Sequence, residues 1–490
     1  MKRYLAILVI FVILGTTAFL LIKIYPSKIK TEKGETTNNN DASAISYNGG
    51  EWLGIYFQNK KIGYTFTKIG EIKNGYKFQS LMKMAMVVAN ELKEIKTVAQ
   101  VNTDKDYRIK TYFVHMATFG HSVKTTGEIE GKKVRITLDT QGRIRTQELE
   151  LDSTPYLQDA LDGLIKKKEL KTGDSLILPF FDILTQTPSK TKIKALGEEE
   201  ITTDGEKFLA HKFLISALGM DSYLWLDKNW HFLKNSSPLG IDMVREDRQK
   251  ALESIKPEEL SDILTFVSVK LDTLVPDHLK VKYMKLQIEG LDTTDLDLNG
   301  DFQNIISYNP LIIEFISPDL KEITGIGTPG QAELPFVKPS MYIQSEDADI
   351  VNKAQMIAGR QKNKKLVVSQ LTAWVFDNLK KRPTISMPSA IDVLQTMEGD
   401  CNEHSILFAA LARALGIPTK IYVGLVNLGN AYYYHAWCSV YLGKWVTVDP
   451  TFGQFPADAG HLKLKEGELS EQTKVLKVVG HLKIKVLEYE

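Results

Sequence analysis

The sequence predicts an α+β protein. Its C-terminal part packs helices on an antiparallel sheet, and a β-rich region and an N-terminal transmembrane helix precede it. Three observations predict this. From Pro339 apolar residues recur at helical spacing and then give way to strand-like segments. From Trp52 to about Val244 short apolar-polar alternations are broken by turn dipeptides. Tyr4 to Ile22 is uncharged and strongly apolar.

The Tyr4–Ile22 run is long enough for one bilayer crossing. Lys2 and Arg3 precede it and Lys23 follows. It exceeds the apolar core of a cleaved signal (about 7–15 residues), and no A-x-A site follows it. Residues 1–30 are therefore expected to be an uncleaved membrane anchor. The start with Lys2 and Arg3 resembles a signal-anchor, which places the body outside the cytoplasm, in the periplasm or at the cell surface. Residues 31–50 are polar and contain Thr36-Thr37-Asn38-Asn39-Asn40-Asp41, a flexible linker. Lys plus Arg number 61 against 60 for Asp plus Glu, so no basic excess points to nucleic acid. Two cysteines, Cys401 and Cys438, exclude a disulfide scaffold in a chain of 490 residues.

Residues 51–255 are expected to form a β-rich domain. Ile62–Phe66, Tyr107–Phe113, Lys133–Leu138 and Phe213–Ala217 read as strands, and Asn74-Gly75, Glu130-Gly131 and Asp204-Gly205 as turns. One helix interrupts, with Ser153 or Thr154 as N-cap, Pro155 at its first position and Tyr156–Ile165 following. Strands with one helix suggest a curved sheet around an apolar interior. The region faintly resembles half-barrel domains that carry lipid-like cargo near bacterial envelopes, but a spacer or docking role is the simpler expectation. Arg245–Leu260 is charged and reads as a helical boundary. Residues 256–338 are expected to be a small β-rich unit, with strands over Thr265–Leu274, Leu279–Glu289 and Ile305–Ile316.

Residues 339–490 carry the chemistry. Ser345 is the expected N-cap of a helix over Ala348–Arg360. Lys365–Lys381 buries one face through Leu366, Val367, Leu371, Trp374, Val375 and Leu379, and Pro383 ends it. Ser389 and Asp392 form a capping-box pattern that opens a short helix. The next helix runs from Cys401 to Leu415, with Asp400 as N-cap and Gly416 and Pro418 as its stop. Cys401 thus stands at the positive end of a helix, where a thiolate is favoured over a thiol. Its backbone N–H there is a natural oxyanion donor. Thr419–Leu425 reads as a strand.

Two later stretches supply partners. Tyr432-Tyr433-Tyr434-His435-Ala436-Trp437 offers an imidazole on a strand, and Trp445-Val446-Thr447-Val448-Asp449 a carboxylate at the end of the next. Cys401, His435 and Asp449 supply a nucleophile, a base and a group that orients the base. A two-residue loop at Gly443-Lys444 would turn Asp449 away from His435. A three-residue loop, Leu442-Gly443-Lys444, sets Tyr441 opposite Trp445 and puts His435 and Asp449 on one face. The second register is expected, with Cys438 a buried thiol on the other face.

Gly399-Asp400-Cys401-Asn402-Glu403-His404, Leu411–Pro418, His435-Ala436-Trp437 and Trp445–Thr451 together resemble the transglutaminase-like superfamily, and more narrowly its bacterial membrane-anchored members. The resemblance spans about Pro339–Leu464. It implies a papain-like arrangement with a Cys401-His435-Asp449 triad that acts on a peptide or protein substrate, with the cell envelope as the expected source. Hydrolysis is favoured over cross-linking. No cofactor is implied. The sequence departs from the family pattern at Cys438-Ser439. His404, on the side of the helix that carries Cys401, is a rival base and is expected to be structural. Cys401, His404, His435 and Cys438 also have zinc-knuckle spacing, but His435 and Cys438 would point to opposite faces of one strand, so no metal is expected. The alternative from another class is a non-catalytic envelope scaffold that uses the fold to bind.

Overall fold

The computed structural model describes residues 49–490, apart from 89–90, 119–120, 141, 185, 204, 218–219, 264–265, 267, 295, 301, 326–328, 341, 383–388, 468–474 and 476–481. The expected anchor at 4–22 and nearly all of the 31–50 linker lie outside the described residues. Among the described residues no helix is long and apolar enough to cross a membrane. The folded chain divides into two units, one ending at Ser261 and the other running from Asp262 to Glu490.

The first unit is built on a fourteen-stranded sheet. Its first eight strands, from Glu51–Phe57 to Arg143–Glu150, run as one meander, and six more run from Ser175–Asp182 to Ile241–Glu246. The two meanders join where Glu51–Phe57 lies antiparallel to Ile241–Glu246. Side chains that alternate across each strand bury Phe66, Phe78, Phe180, Phe213 and Phe232. The interior is not purely apolar as expected. A small cleft of about 30 Å³ is lined by Met82, Leu157 and Phe181 but also by Thr97, Asp159 and Asp182. The helix also starts later than its sequence signals. A short 3₁₀ turn at Gln158–Ala160 leads into Leu161–Lys168. Tyr156 is instead drawn into extended pairing, its N–H donating to the Pro179 carbonyl at 2.8 Å. The charged stretch after Glu246 forms only a four-residue helix, Arg248–Ala251, capped by Asp247, and a 3₁₀ turn at Pro257–Glu259.

The second unit, Asp262–Glu490, holds the cysteines. The small unit expected at 256–338 is not separate from it, because its strands pair with the far end of the chain. Tyr283–Glu289 lies between Leu311–Ile316 and the C-terminal strand Lys483–Tyr489. Val269–Lys270 pairs with Ala431–Tyr432. The long strand expected over Thr265–Leu274 is represented by Val269–Lys270 alone among the described residues. Ile305–Ile316 divides into a hairpin of Gln303–Tyr308 and Leu311–Ile316.

Among the described residues four α-helices follow. Ala348–Ala358 is capped by Asp347, not Ser345, and Lys364–Asn378 by Asn363. Pro383, the expected stop, lies outside the described residues. Ala390–Thr396 begins at Ser389, whose hydroxyl accepts the Asp392 N–H. The cysteine helix, Cys401–Ala414, is buried at every residue from Cys401 to Arg413. Its apolar Ile406–Ala412 run packs beneath Val440, Val446 and Val448. Asp400 caps it, Glu403 reaches back to complete a capping box, and Gly416 leaves it at φ +69°. Such a cap contributes about 1 kcal/mol, and here it also fixes the residue that carries the thiol.

The helix lies against a sheet ordered Val269–Lys270, Ala431–Tyr441, Thr419–Asn427, His461–Glu466, with Trp445–Val448 also paired to Ala431–Tyr441. Gly424, opposite His435, lets the His461–Glu466 strand come close; a Cβ there would meet the Leu462 carbonyl oxygen at 2.0 Å.

Candidate active site

The register of one hairpin decides the site. Tyr441 lies opposite Trp445, Val440 opposite Val446 and Cys438 opposite Val448, with Leu442-Gly443-Lys444 as the loop. This is the three-residue arrangement expected from the sequence. It brings Asp449, the residue after the second strand, to His435. His435 Nε2 lies 2.7 Å from Asp449 Oδ2. Cys438 faces the other way, is free of any disulfide, and donates to the Ser405 carbonyl at 3.4 Å.

Asp449 is fully buried, yet burial does not set its charge. His435 and His461 face its carboxylate and hold its pKa well below the ordinary range against the cost of desolvation. Backbone N–H groups of Thr451 and Phe452 donate to Oδ1 at 2.7 and 3.1 Å. The His461 Nε2 lies 3.0 Å from Oδ2. Asp449 is therefore acceptor-only, and the His435 nitrogen facing it carries the proton. His435 Nδ1 is buried and has no hydrogen-bond partner. The imidazole lies nearly parallel to Phe452, with ring centroids 5.0 Å apart, and to Trp437, at 6.0 Å. Those rings set its plane.

Cys401 opens the buried helix at 2% exposure. Burial pushes its thiol well above the ordinary range, and the Asp400 carboxyl adds to this; a hydrogen bond with the Ala436 backbone acts the other way. Ala436 follows His435 directly. Its carbonyl accepts from Ser405 Oγ at 3.1 Å, so helix and strand are tied at this point. The resting thiolate expected from the helix start is not what this environment favours. Removal from water and nearby carboxyl groups outweigh the partial charge of the helix end.

His404 is turned into its own helix start. Its Nδ1 donates to the Asp400 carbonyl at 2.6 Å. Burial lowers its pKa to about 4, so it is neutral at pH 7. This fits the structural role expected for it. The four residues of the zinc alternative are not brought together, since Cys438 lies on the opposite face and His404 bonds to the backbone. Among the described residues, His435, Asp449 and His461 are the one group whose ligand atoms lie close enough to suggest a metal. Ligands around a tetrahedral zinc sit roughly 3.3 Å apart. The 2.7 and 3.0 Å separations, with donors facing an acceptor-only carboxylate, are hydrogen bonds instead.

Sequence reasoning missed His461, Asp458, Glu403 and Phe452. The available signal was the Asp458-x2-His461 pair soon after Asp449. Without strand pairing nothing tied it to the site.

Residues 352–450 match the family model described as the transglutaminase-like superfamily. The chain carries a transglutaminase-like domain. The matched segment contains Cys401, His435 and Asp449 and ends at Pro450, short of His461. No curated protein matches the chain. Three solved structures are similar in part. A candidate cysteine protease from Cytophaga hutchinsonii is 17% identical, with 43% of this chain and 87% of that one covered and a TM-score of 0.29. A β-barrel-like protein of unknown function from Brucella abortus is 11% identical over 40% of this chain and 96% of that one, at a TM-score of 0.31. A candidate protease from Parabacteroides distasonis is 12% identical over 67% of this chain and 64% of that one, at 0.20.

The raised thiol of the transglutaminase-like domain has a measurable consequence. Alkylation of Cys401 by iodoacetamide in the native state should be slow at pH 7 and accelerate only at a higher pH than for a free thiol, whose pKa is about 8.5. Rapid labelling at pH 6 would contradict the neutral resting thiol.

Proposed function

We propose that this chain is a thiol enzyme acting on amide or peptide bonds, with Cys401 as nucleophile, His435 as base and Asp449 as the group that orients the base. One observation carries the reading. His435 is tied to Asp449 through Nε2, while Nδ1 is unpartnered and buried, on the residue next to the Ala436 backbone that bonds Cys401. A proton acceptor is thus held on the residue next to the backbone that bonds the thiol.

The chemistry follows from that geometry. The Cys401 sulfur forms a bond to the substrate carbonyl carbon as its proton passes to His435 Nδ1. The neutral thiol makes proton transfer part of the attack and not a step completed before it. Asp449 remains a carboxylate and stabilises the imidazolium that forms. The Cys401 N–H, at the first helical position where no intrahelical acceptor exists, is aimed at the developing oxyanion. Collapse breaks the carbon–nitrogen bond, and the amine leaves with the proton from His435. Water then attacks the thioester, giving its proton to His435, and returns the thiol. The resemblance to bacterial members favours water over an acceptor amine, hence hydrolysis over cross-linking.

A non-catalytic binding role is the second reading, and one observation favours it. Cys401, His435 and Asp449 are exposed at 2%, 1% and 0%, so the site is closed to substrate in this conformation. Turnover requires a movement that uncovers the thiol. Cys401→Ala separates the readings. Comparison of envelope peptides from cells with either form should show products that disappear with the variant, and turnover of an identified peptide should fall at least about a thousandfold. Unfolding free energy should stay within roughly 1 kcal/mol, since only a sulfur is removed. An alanine variant with full activity would sink the enzyme reading.

The anchor reading places the folded body outside the cytoplasm, with residues 4–22 in the bilayer. An export-dependent phosphatase reporter fused after Gly50 should be active. An inactive but stable fusion would put the body on the cytoplasmic side.

A further inference from the structure

His461 lies beyond the family-matched segment and is not required by a three-residue triad. Its surroundings are unusual for a histidine. The Nε2 faces Asp449 Oδ2 at 3.0 Å, the same oxygen that His435 contacts at 2.7 Å. The Nδ1 faces Asp458, with Oδ1 at 3.2 Å and the backbone carbonyl at 3.1 Å. Both ring nitrogens therefore point at oxygens that can only accept. Asp449 has no proton to give, because both of its oxygens are already taken by donors. A neutral imidazole carries one N–H and would set a lone pair against one of these oxygens. Only the imidazolium satisfies both sides.

We propose that His461 is a resident imidazolium, clamped between Asp449 and Asp458, that balances the Asp449 carboxylate and leaves His435 free to present Nδ1 as a proton acceptor. It is a positioning residue, since it acts on the reacting groups through Asp449, and its role rests on the thiol-enzyme reading above. Without the cation, His435 would be the sole counter-charge of a carboxylate sealed from water. A doubly protonated His435 could not take the thiol proton.

The clamp is itself held in place. Asp458 Oδ2 accepts from Gln454 Nε2 at 2.6 Å, and Oδ1 accepts from the Gly460 N–H at 2.7 Å. Gln454 exchanges both backbone hydrogen bonds with Asp449, at 2.9 Å each, so the two acids belong to one loop. Other charged or titratable groups that reach this cluster are His435, with its ring centroid 5.8 Å from that of His461, His278 and Tyr432 near Asp458, and Cys401, Cys438, His404 and Lys381 near Asp449. The two carboxylates raise the pKa of His461 to about 10 against the cost of its burial. The sign follows. A histidine raised from about 6.5 stabilises the fold fully below that value, and the contribution is lost as pH rises through 10.

The experiment uses the whole chain with ¹⁵N-labelled histidine. At pH 8 His461 should show two protonated ring nitrogens, assigned by their loss in His461→Gln. In Asp458→Asn one anionic partner is gone, so the second N–H signal should vanish at least one pH unit lower than in the wild type. Under the same substitution the alkaline fall in turnover should move down with it, with kcat affected more than KM. A single ring N–H on His461 at pH 7 would overturn the proposal, as would an Asp458→Asn chain whose signals and alkaline limb do not move. If both signals are present and the wild-type chain turns over no amide, the cation stands, and the enzyme reading and the positioning role fall together.

Discussion

A carboxylate removed from water must find donors or give up its charge. Asp449 meets this constraint with four: the backbone N–H groups of Thr451 and Phe452 and the rings of His435 and His461. Burying such a charge costs roughly several kcal/mol. Hydrogen bonds to a charged group contribute about 1.5–3 kcal/mol each, so four of them offset the cost. The requirement reaches outward. The turn after Asp449 must curl to present two N–H groups. The hairpin must hold its three-residue loop. The His461–Glu466 strand must approach closely, which Gly424 allows by having no side chain.

The cysteine helix meets that cluster from the other side. Its apolar face is wholly enclosed, so its start cannot drift, and the capping box fixes the residue that carries sulfur. The price of that rigidity is a thiol without water. Burial holds Cys401 protonated in the resting state, and Asp400, itself pushed well above its ordinary range by burial and by Glu403, offers no positive charge to oppose this. On the proposed reading, His435 Nδ1 takes that proton during attack.

The helices and the hairpin that joins His435 to Asp449 were legible because they are local. Asp400, Gly416 and the alanine-leucine run mark one helix within the span of its own residues. The hairpin register follows from counting residues between Tyr441 and Trp445. Interactions between distant segments left no such mark. Nothing in Tyr283–Glu289 indicates that its partner is Lys483–Tyr489, so a small unit was expected where the chain completes a sheet with its own end. Tyr156 was expected in a helix because Pro155 and Thr154 favour one, and tertiary pairing with Phe180 prevailed. His461 escaped for the same reason, since it lies on a strand two places across the sheet from the one that carries His435. The state of the thiol escaped for another: the helix-end charge can be read from sequence, and the depth of burial that outweighs it cannot.

The most direct test of the Cys401–His435–Asp449 assignment is a rapid-quench mass measurement of the chain with an activated acyl ester. One acyl group should appear as a thioester on Cys401 before steady turnover, and His435→Ala should suppress it in a chain that still folds. Acylation that maps to Cys438, or that proceeds on Cys401 at the same rate without His435, would contradict the assignment.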